Sequence, residues 1–169
     1  MEKRFKNTAI EAALKSGIFI KNSVGRIKKI SFKGRVNIVT DIDKRAEAII
    51  IDKIGRAFPG HSILSEESEP KKRASPYKWI IDPLDGTTNF AHSFPFFCVS
   101  IALEKDGVIL LGIVYDPMRK ELFVAQRHKG AYLNNKRIAV SKTGRLSQGF
   151  LATGFAYGIK EARDNNIRN

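Results

Sequence analysis

A chain of 169 residues, 43% apolar and 28% charged, is long enough for one soluble domain that buries roughly 70% of its unfolded surface. No apolar run approaches the roughly 18 residues of a membrane span, and a charged, helix-patterned segment rather than an apolar signal core follows the basic start Met1-Glu2-Lys3-Arg4. The net charge of +13 draws anions of any kind, but the basic clusters Lys28-Lys29 and Lys71-Lys72-Arg73 carry no interleaved aromatics, so a solvated surface is expected and a nucleic-acid partner is not.

The first predicted element is a helix from Phe5 to about Val24, with Ala9, Ala12, Ala13 and Ile20 on one stripe and Gly25 ending it. A second helix opens at Thr40, a good N-cap, with Asp43 three positions on in the manner of a capping box. It carries Ala46, Ile50, Ile54 and Ala57 at helical spacing until Phe58-Pro59-Gly60 stops it. The period then changes to that of strands. Ser62-Ile63-Leu64 leads to Glu66-Glu67, and a polar loop precedes a strand from Lys78 to Ile81. An antiparallel meander follows, from Phe96 to Glu104 and from Val108 to Tyr115, turning at Asp106-Gly107. Further strands are expected at Glu121 to Ala125, Ala131 to Leu133, Arg137 to Val140 and Phe150 to Thr153. From Phe155 to Asn169 the chain turns polar, as in the first turns of a helix whose packing partner lies elsewhere. The expected class is α+β, two N-terminal helices packed on a mainly antiparallel sheet. The single cysteine, Cys98, cannot form an internal disulfide; a buried thiol in a reducing cytoplasm fits it.

The chemistry concentrates in Trp79-Ile80-Ile81-Asp82-Pro83-Leu84-Asp85-Gly86-Thr87-Thr88-Asn89-Phe90. An apolar strand runs into two carboxylates three residues apart, and a glycine and two hydroxyls follow where the chain must turn. Asp82 and the Leu84 carbonyl can point the same way, and Asp85 follows from a turn that Pro83 stiffens. Mg²⁺ needs only one or two carboxylates per ion when water and substrate phosphate complete its shell. Two such ions about 3.5–4 Å apart clamp the attacking and leaving oxygens of a phosphoryl transfer. Gly86-Thr87-Thr88 offers free backbone N–H groups to an anion. An Asp-rich turn with a helix cap explains Asp-x-x-Asp-Gly by itself; the whole dodecamer is more specific.

That dodecamer resembles the first signature of the inositol monophosphatase family, the lithium-sensitive, magnesium-dependent phosphatases. The resemblance continues in Asn37-Ile38-Val39-Thr40-Asp41-Ile42-Asp43, Ser65-Glu66-Glu67-Ser68, Pro95-Phe96-Phe97-Cys98-Val99-Ser100-Ile101-Ala102 and Gly130-Ala131-Tyr132-Leu133-Asn134. It implies the front part of a layered αβαβα sugar-phosphatase fold. It also implies that Glu66, Asp82 and the Leu84 carbonyl hold a first Mg²⁺, with Asp82 and Asp85 contributing to a second. Glu66 and Thr87 would position a nucleophilic water. Asp85, Gly86 and Thr87 would border the substrate, the Gly86 and Thr87 amides receiving its phosphate, and Asp43 would support the Thr87 hydroxyl. The expected reaction is in-line attack of metal-activated water on a small phosphorylated metabolite, inositol 1-phosphate before fructose 1,6-bisphosphate or the nucleotide-bisphosphate branch.

The family is longer, and its second signature, a Trp-Asp dipeptide leading into small residues, is absent here. Residues 1–169 therefore correspond to its N-terminal portion, without the C-terminal domain, and the chain alone is expected to hydrolyse phosphate poorly. Family members commonly dimerise; a homodimer or a pairing with the missing C-terminal half are the expected assemblies. Two rivals stand beside this reading. Asp41-Ile42-Asp43 imitates the Asp-x-Asp of haloacid-dehalogenase-type phosphatases, but Arg45 occupies the place of the hydroxyl those enzymes require. A basic, non-catalytic domain binding nucleic acid or protein is the other. His61, His92 and His128 are scattered, without zinc spacing, and are expected in surface or loop roles.

Overall fold

The computed structural model describes residues 2–26, 30–33 and 37–152, and in it the chain forms helices layered on one face of a seven-stranded sheet. Helix α1 spans Glu2–Asn22. A small hairpin, β1 (Ile30–Lys33) and β2 (Asn37–Thr40), leads into α2 (Asp41–Ala57). The large sheet follows: β3 (Ser62–Ser65), β4 (Tyr77–Asp85), β5 (Cys98–Lys105), β6 (Val108–Asp116), β7 (Glu121–Gln126), β8 (Gly130–Leu133) and β9 (Lys136–Ile138). They lie side by side in that order, β3 parallel to β4 and every later pair antiparallel. A five-residue helix, α3 (Thr87–Ala91), sits between β4 and β5. No helix among the described residues is long and apolar enough to cross a membrane.

Alternation along the strands makes the layers. Trp79 and Ile81 of β4, Val99, Ile101 and Leu103 of β5, and Leu111, Ile113 and Tyr115 of β6 are buried against the helices. Ala9, Ala12, Ala13 and Ile20 of α1 and Ile42, Ala46, Ile50 and Ile54 of α2 meet them, the stripes that the helical period marks in the sequence. Small residues let α1 approach closely: a Cβ on Gly17 would lie 2.5 Å from the Tyr115 ring. Ser16 Oγ donates to Ala46 O across the helix pair. Arg4 donates to Ala57 O at the end of α2 and lies over the Phe58 ring.

Both ends of α2 follow the sequence. Thr40 Oγ1 accepts from the Ile42 N–H, the Thr40 N–H donates to Asp43 Oδ2, and Phe58 N–H closes on Ile54 O. Such a cap contributes about 1 kcal/mol. The hairpin turns use left-handed pairs, Asp106-Gly107 at φ +48° and +81° and Asn134-Asn135 at +47° and +67°.

Several boundaries differ from expectation. The meander begins at Cys98 rather than Phe96, because Phe94-Pro95-Phe96 has no strand to pair with before β5 meets β4. The last strand of the sheet stops at Ile138, with Val140 93% exposed. Residues Phe150 to Ala152 are not in a strand; Phe150 and Leu151 stand in solvent, preceded by a 3₁₀ turn at Leu146–Gln148. The β1–β2 hairpin and the parallel β3–β4 pair were not anticipated. The expected helical turns from Phe155 to Asn169 and the Lys28-Lys29 cluster lie outside the described residues.

Candidate metal and phosphate site

The site is built where β4 loses its regular register. Asp82 pairs with Ser100 and Asp85 with Cys98, so Pro83 and Leu84 on β4 face Val99 alone on β5. This is a bulge, and it is where a strand can hold a proline without losing a ladder hydrogen bond. With Trp79 and Ile81 in the core, alternation sends Asp82 to the face opposite the helices. Pro83 and Leu84 turn inward and are buried; Asp85 emerges exposed. The Leu84 N–H donates to Asp82 Oδ1 at 3.1 Å, tying the first carboxylate into the turn.

Glu66 reaches this point from the neighbouring strand. Its N–H donates to Ile81 O at 3.2 Å, one residue before Asp82, because β3 runs parallel to β4 and ends beside it. The electrostatics records the meeting. Burial first, then the charges of Glu66 and Asp85, push the Asp82 carboxyl up to about 7 against the opposing Leu84 N–H, with a hydrogen bond between Asp82 and Glu66 contributing to the rise. Glu66, Asp82 and Asp85 thus share one neighbourhood. They are not a closed cage: among the described residues, no group of three or more His, Cys, Asp or Glu side chains is arranged to hold a metal ion by itself.

After the bulge, Gly86 takes φ +92°, a conformation favouring glycine, and a Cβ there would stand 3.1 Å from Phe96 O. Asn89 Nδ2 donates to the same Phe96 oxygen at 2.8 Å, holding the 92–97 loop against the turn. Thr87 Oγ1 lies 2.9 Å from Asp43 Oδ1 and 2.9 Å from Leu84 O. With one proton it donates to one of them at a time, which leaves its lone pairs to accept from a third group. Asp43 is 1% exposed and accepts from Thr40 as well as Thr87, so the capping acid of α2 also locates the Thr87 hydroxyl.

Two neighbours of the site were not anticipated. Cys98 is half-buried rather than wholly buried, and its thiol lies 3.7 Å from Asp85 Oδ2. Burial first, then Asp85 and Asp82, push the thiol up to about 12, which keeps it protonated and able to donate. The register of β4 against β5 is what puts it there, and a single sequence does not disclose a register. A cleft of about 370 Å³ opens from Asp85, Gly86 and Cys98 toward Asp116 and Arg119, whose guanidinium lies over the Phe96 ring. His61 also departs from a surface role. It is half-buried, stacked between Phe58 and Tyr77, and its Nδ1 accepts from Trp79 Nε1 at 3.1 Å.

The donor set fits a hard divalent cation. It is all oxygen, from three acids and the Leu84 carbonyl, and one of those acids retains a proton near neutrality that a cation would displace. The Gly86–Thr87 turn, expected from the sequence to receive phosphate, lies beside them.

Known proteins resemble this chain along most of its length. The inositol monophosphatase family model matches residues 1–169. An inositol-1-monophosphatase of Synechocystis sp. is 48% identical over 160 residues, covering 94% of this chain and 56% of that protein. A protein named Nus factor SuhB from Vibrio cholerae is 47% identical over 167 residues, covering 96% and 62%. The solved inositol monophosphatase of Anabaena (Nostoc) sp. superposes with a TM-score of 0.85 at 44% identity, over 97% of this chain and 60% of that one. The chain therefore spans a little over half the length of the curated relatives it matches. On these matches, carried by the same α+β architecture, the chain belongs to the inositol monophosphatase family.

Proposed function

We propose that this chain supplies the cation- and phosphate-binding half of a Mg²⁺-dependent phosphate monoesterase whose substrate is an inositol monophosphate. The observation that supports this most is the meeting of Glu66, Asp82 and Asp85 beside a Thr87 hydroxyl held by Asp43. Glu66, Asp82 and the Leu84 carbonyl would hold one Mg²⁺, and Asp82 with Asp85 would serve a second. Bound Mg²⁺ supplies the positive charge that acidifies a nearby water and offsets charge developing on the phosphate. Glu66 and Thr87 orient that water: it donates to Thr87 Oγ1, whose own proton points to Asp43. The Gly86 and Thr87 N–H groups receive the phosphate oxygens. Attack in line with the departing alkoxide inverts phosphorus and needs no covalent enzyme intermediate. Fructose 1,6-bisphosphate is the alternative substrate.

Phosphate release from inositol 1-phosphate tests the reading. Turnover by the 169-residue chain is expected to require Mg²⁺, to stop with chelator, and to fall at least about 100-fold in Asp85→Asn, the scale of losing one transition-state contact. It is also expected to stay well below that of the longer relatives. Release that persists undiminished in chelator contradicts the reading.

A second reading is favoured by the name Nus factor carried by relatives such as the Vibrio cholerae protein, together with the +13 charge. It gives the basic domain a binding role separate from hydrolysis. RNA affinity that falls steeply with salt and survives Asp82→Asn supports it.

A further inference from the structure

Helix α2 buries two acids one turn apart on its packed face, Asp43 at 1% and Glu47 at 7% exposure. Acids on a buried helix face persist only where polar hydrogens meet them. Asp43 meets Thr87. Glu47 meets Ser68, whose Oγ donates to Glu47 Oε1 at 3.0 Å across 21 residues of chain. Ser68 ends the acidic turn that follows β3 and carries Glu66. The other end of that turn is fixed to β4, where Ser65 Oγ and the Glu66 N–H both reach Ile81 O, at 3.4 and 3.2 Å. Glu66 is itself exposed, and the backbone that carries it is held at both ends.

We propose that Glu47 is a positioning residue: acting through Ser68, it sets Glu66 relative to Thr87, so that α2 helps to register both sides of the site. Residues at i and i+4 stand about 6 Å apart on one helix face. The Asp43 tie to Thr87 and the Glu47 tie to the Glu66 turn therefore belong to one rigid body of 17 residues. The inference rests on the reading of Glu66 as a cation ligand.

Titration of Mn²⁺, followed by electron paramagnetic resonance, into the full 169-residue chain tests it. Ser68→Ala and Glu47→Ala are each expected to weaken Mn²⁺ affinity about 10–100-fold, the usual effect of removing a partner that orients a ligand. The double variant is expected to be no weaker than Glu47→Ala, since both changes break one contact. Glu47→Gln retains a side-chain oxygen for the Ser68 hydroxyl and is expected to restore most of the affinity. Ser68→Ala removes a single hydroxyl and guards against a loss that reflects unfolding; a purely structural role would lower the melting temperature and leave the affinity of the folded chain unchanged. Unchanged affinity in Ser68→Ala, additive losses in the double variant, or a Glu47→Gln as weak as Glu47→Ala overturns the positioning role. A wild-type chain that takes up no Mn²⁺ overturns the cation site and this proposal with it, and that outcome is read from the wild-type titration alone.

Discussion

Asp82 gives the site a signature in stability. Its folded-state value of about 7 lies above the ordinary 3.8, so the folded chain holds the proton more tightly than the unfolded one. That contribution is complete below about pH 4 and is lost as pH rises through 7. In chelator, the melting temperature is therefore expected to fall across this window, and Asp82→Asn to remove that part of the fall. A slope unchanged in the variant would contradict the assignment. His61 works in the opposite direction. Burial lowers its value from 6.5, and the Trp79 hydrogen bond needs an unprotonated Nδ1. Its contribution is present above pH 6.5 and is lost as pH falls through the lower folded value. Because the two windows overlap, the single variants separate them: His61→Phe should remove acid sensitivity and leave the Asp82 slope. Acid sensitivity that survives in His61→Phe would contradict that role. At this scale the sequence was informative, since the signature is contiguous and its chemistry is local. Cys98 and Glu47 were not legible as neighbours of the site, because each reaches it through a register or a helix face that only the fold sets.

Between elements, packing is decided by close approach, and Gly17 is the clearest case. Tyr115 occupies the space a Cβ would need, at 2.5 Å from its ring. Gly17→Ala is expected to cost about 1–3 kcal/mol by overpacking, at roughly 2–4 °C of melting temperature per kcal/mol. An unchanged melting temperature would mean that α1 can lift from β6 without loss. Elements with local signals were readable: the α2 capping box, the Asp106-Gly107 turn and the apolar stripes of both helices. Those set by distant pairing were not. Nothing local distinguishes a parallel β3–β4 pair from another antiparallel one. The Phe150 to Thr153 run has strand propensity, yet where described it has no neighbour to pair with, and propensity without a ladder leaves Phe150 fully exposed.

At the scale of the whole molecule, one sheet face is covered by helices and strand alternation puts Asp82 on the other. The helix-covered face accounts for the buried core; the open face carries Asp82, with Val114 exposed beside the cleft. Relatives are longer than this chain, so substrate choice is expected to draw on residues they have in addition. Cation binding, by contrast, is expected of these 169 residues alone. Calorimetric titration of Mg²⁺ at pH 7 in two buffers of different ionisation enthalpy measures this most directly. The account predicts saturable uptake with proton release, as Asp82 gives up its proton, affinity rising with pH through 7, and loss of uptake in Asp82→Asn. No uptake by the folded chain, or equal uptake by the variant, would contradict it.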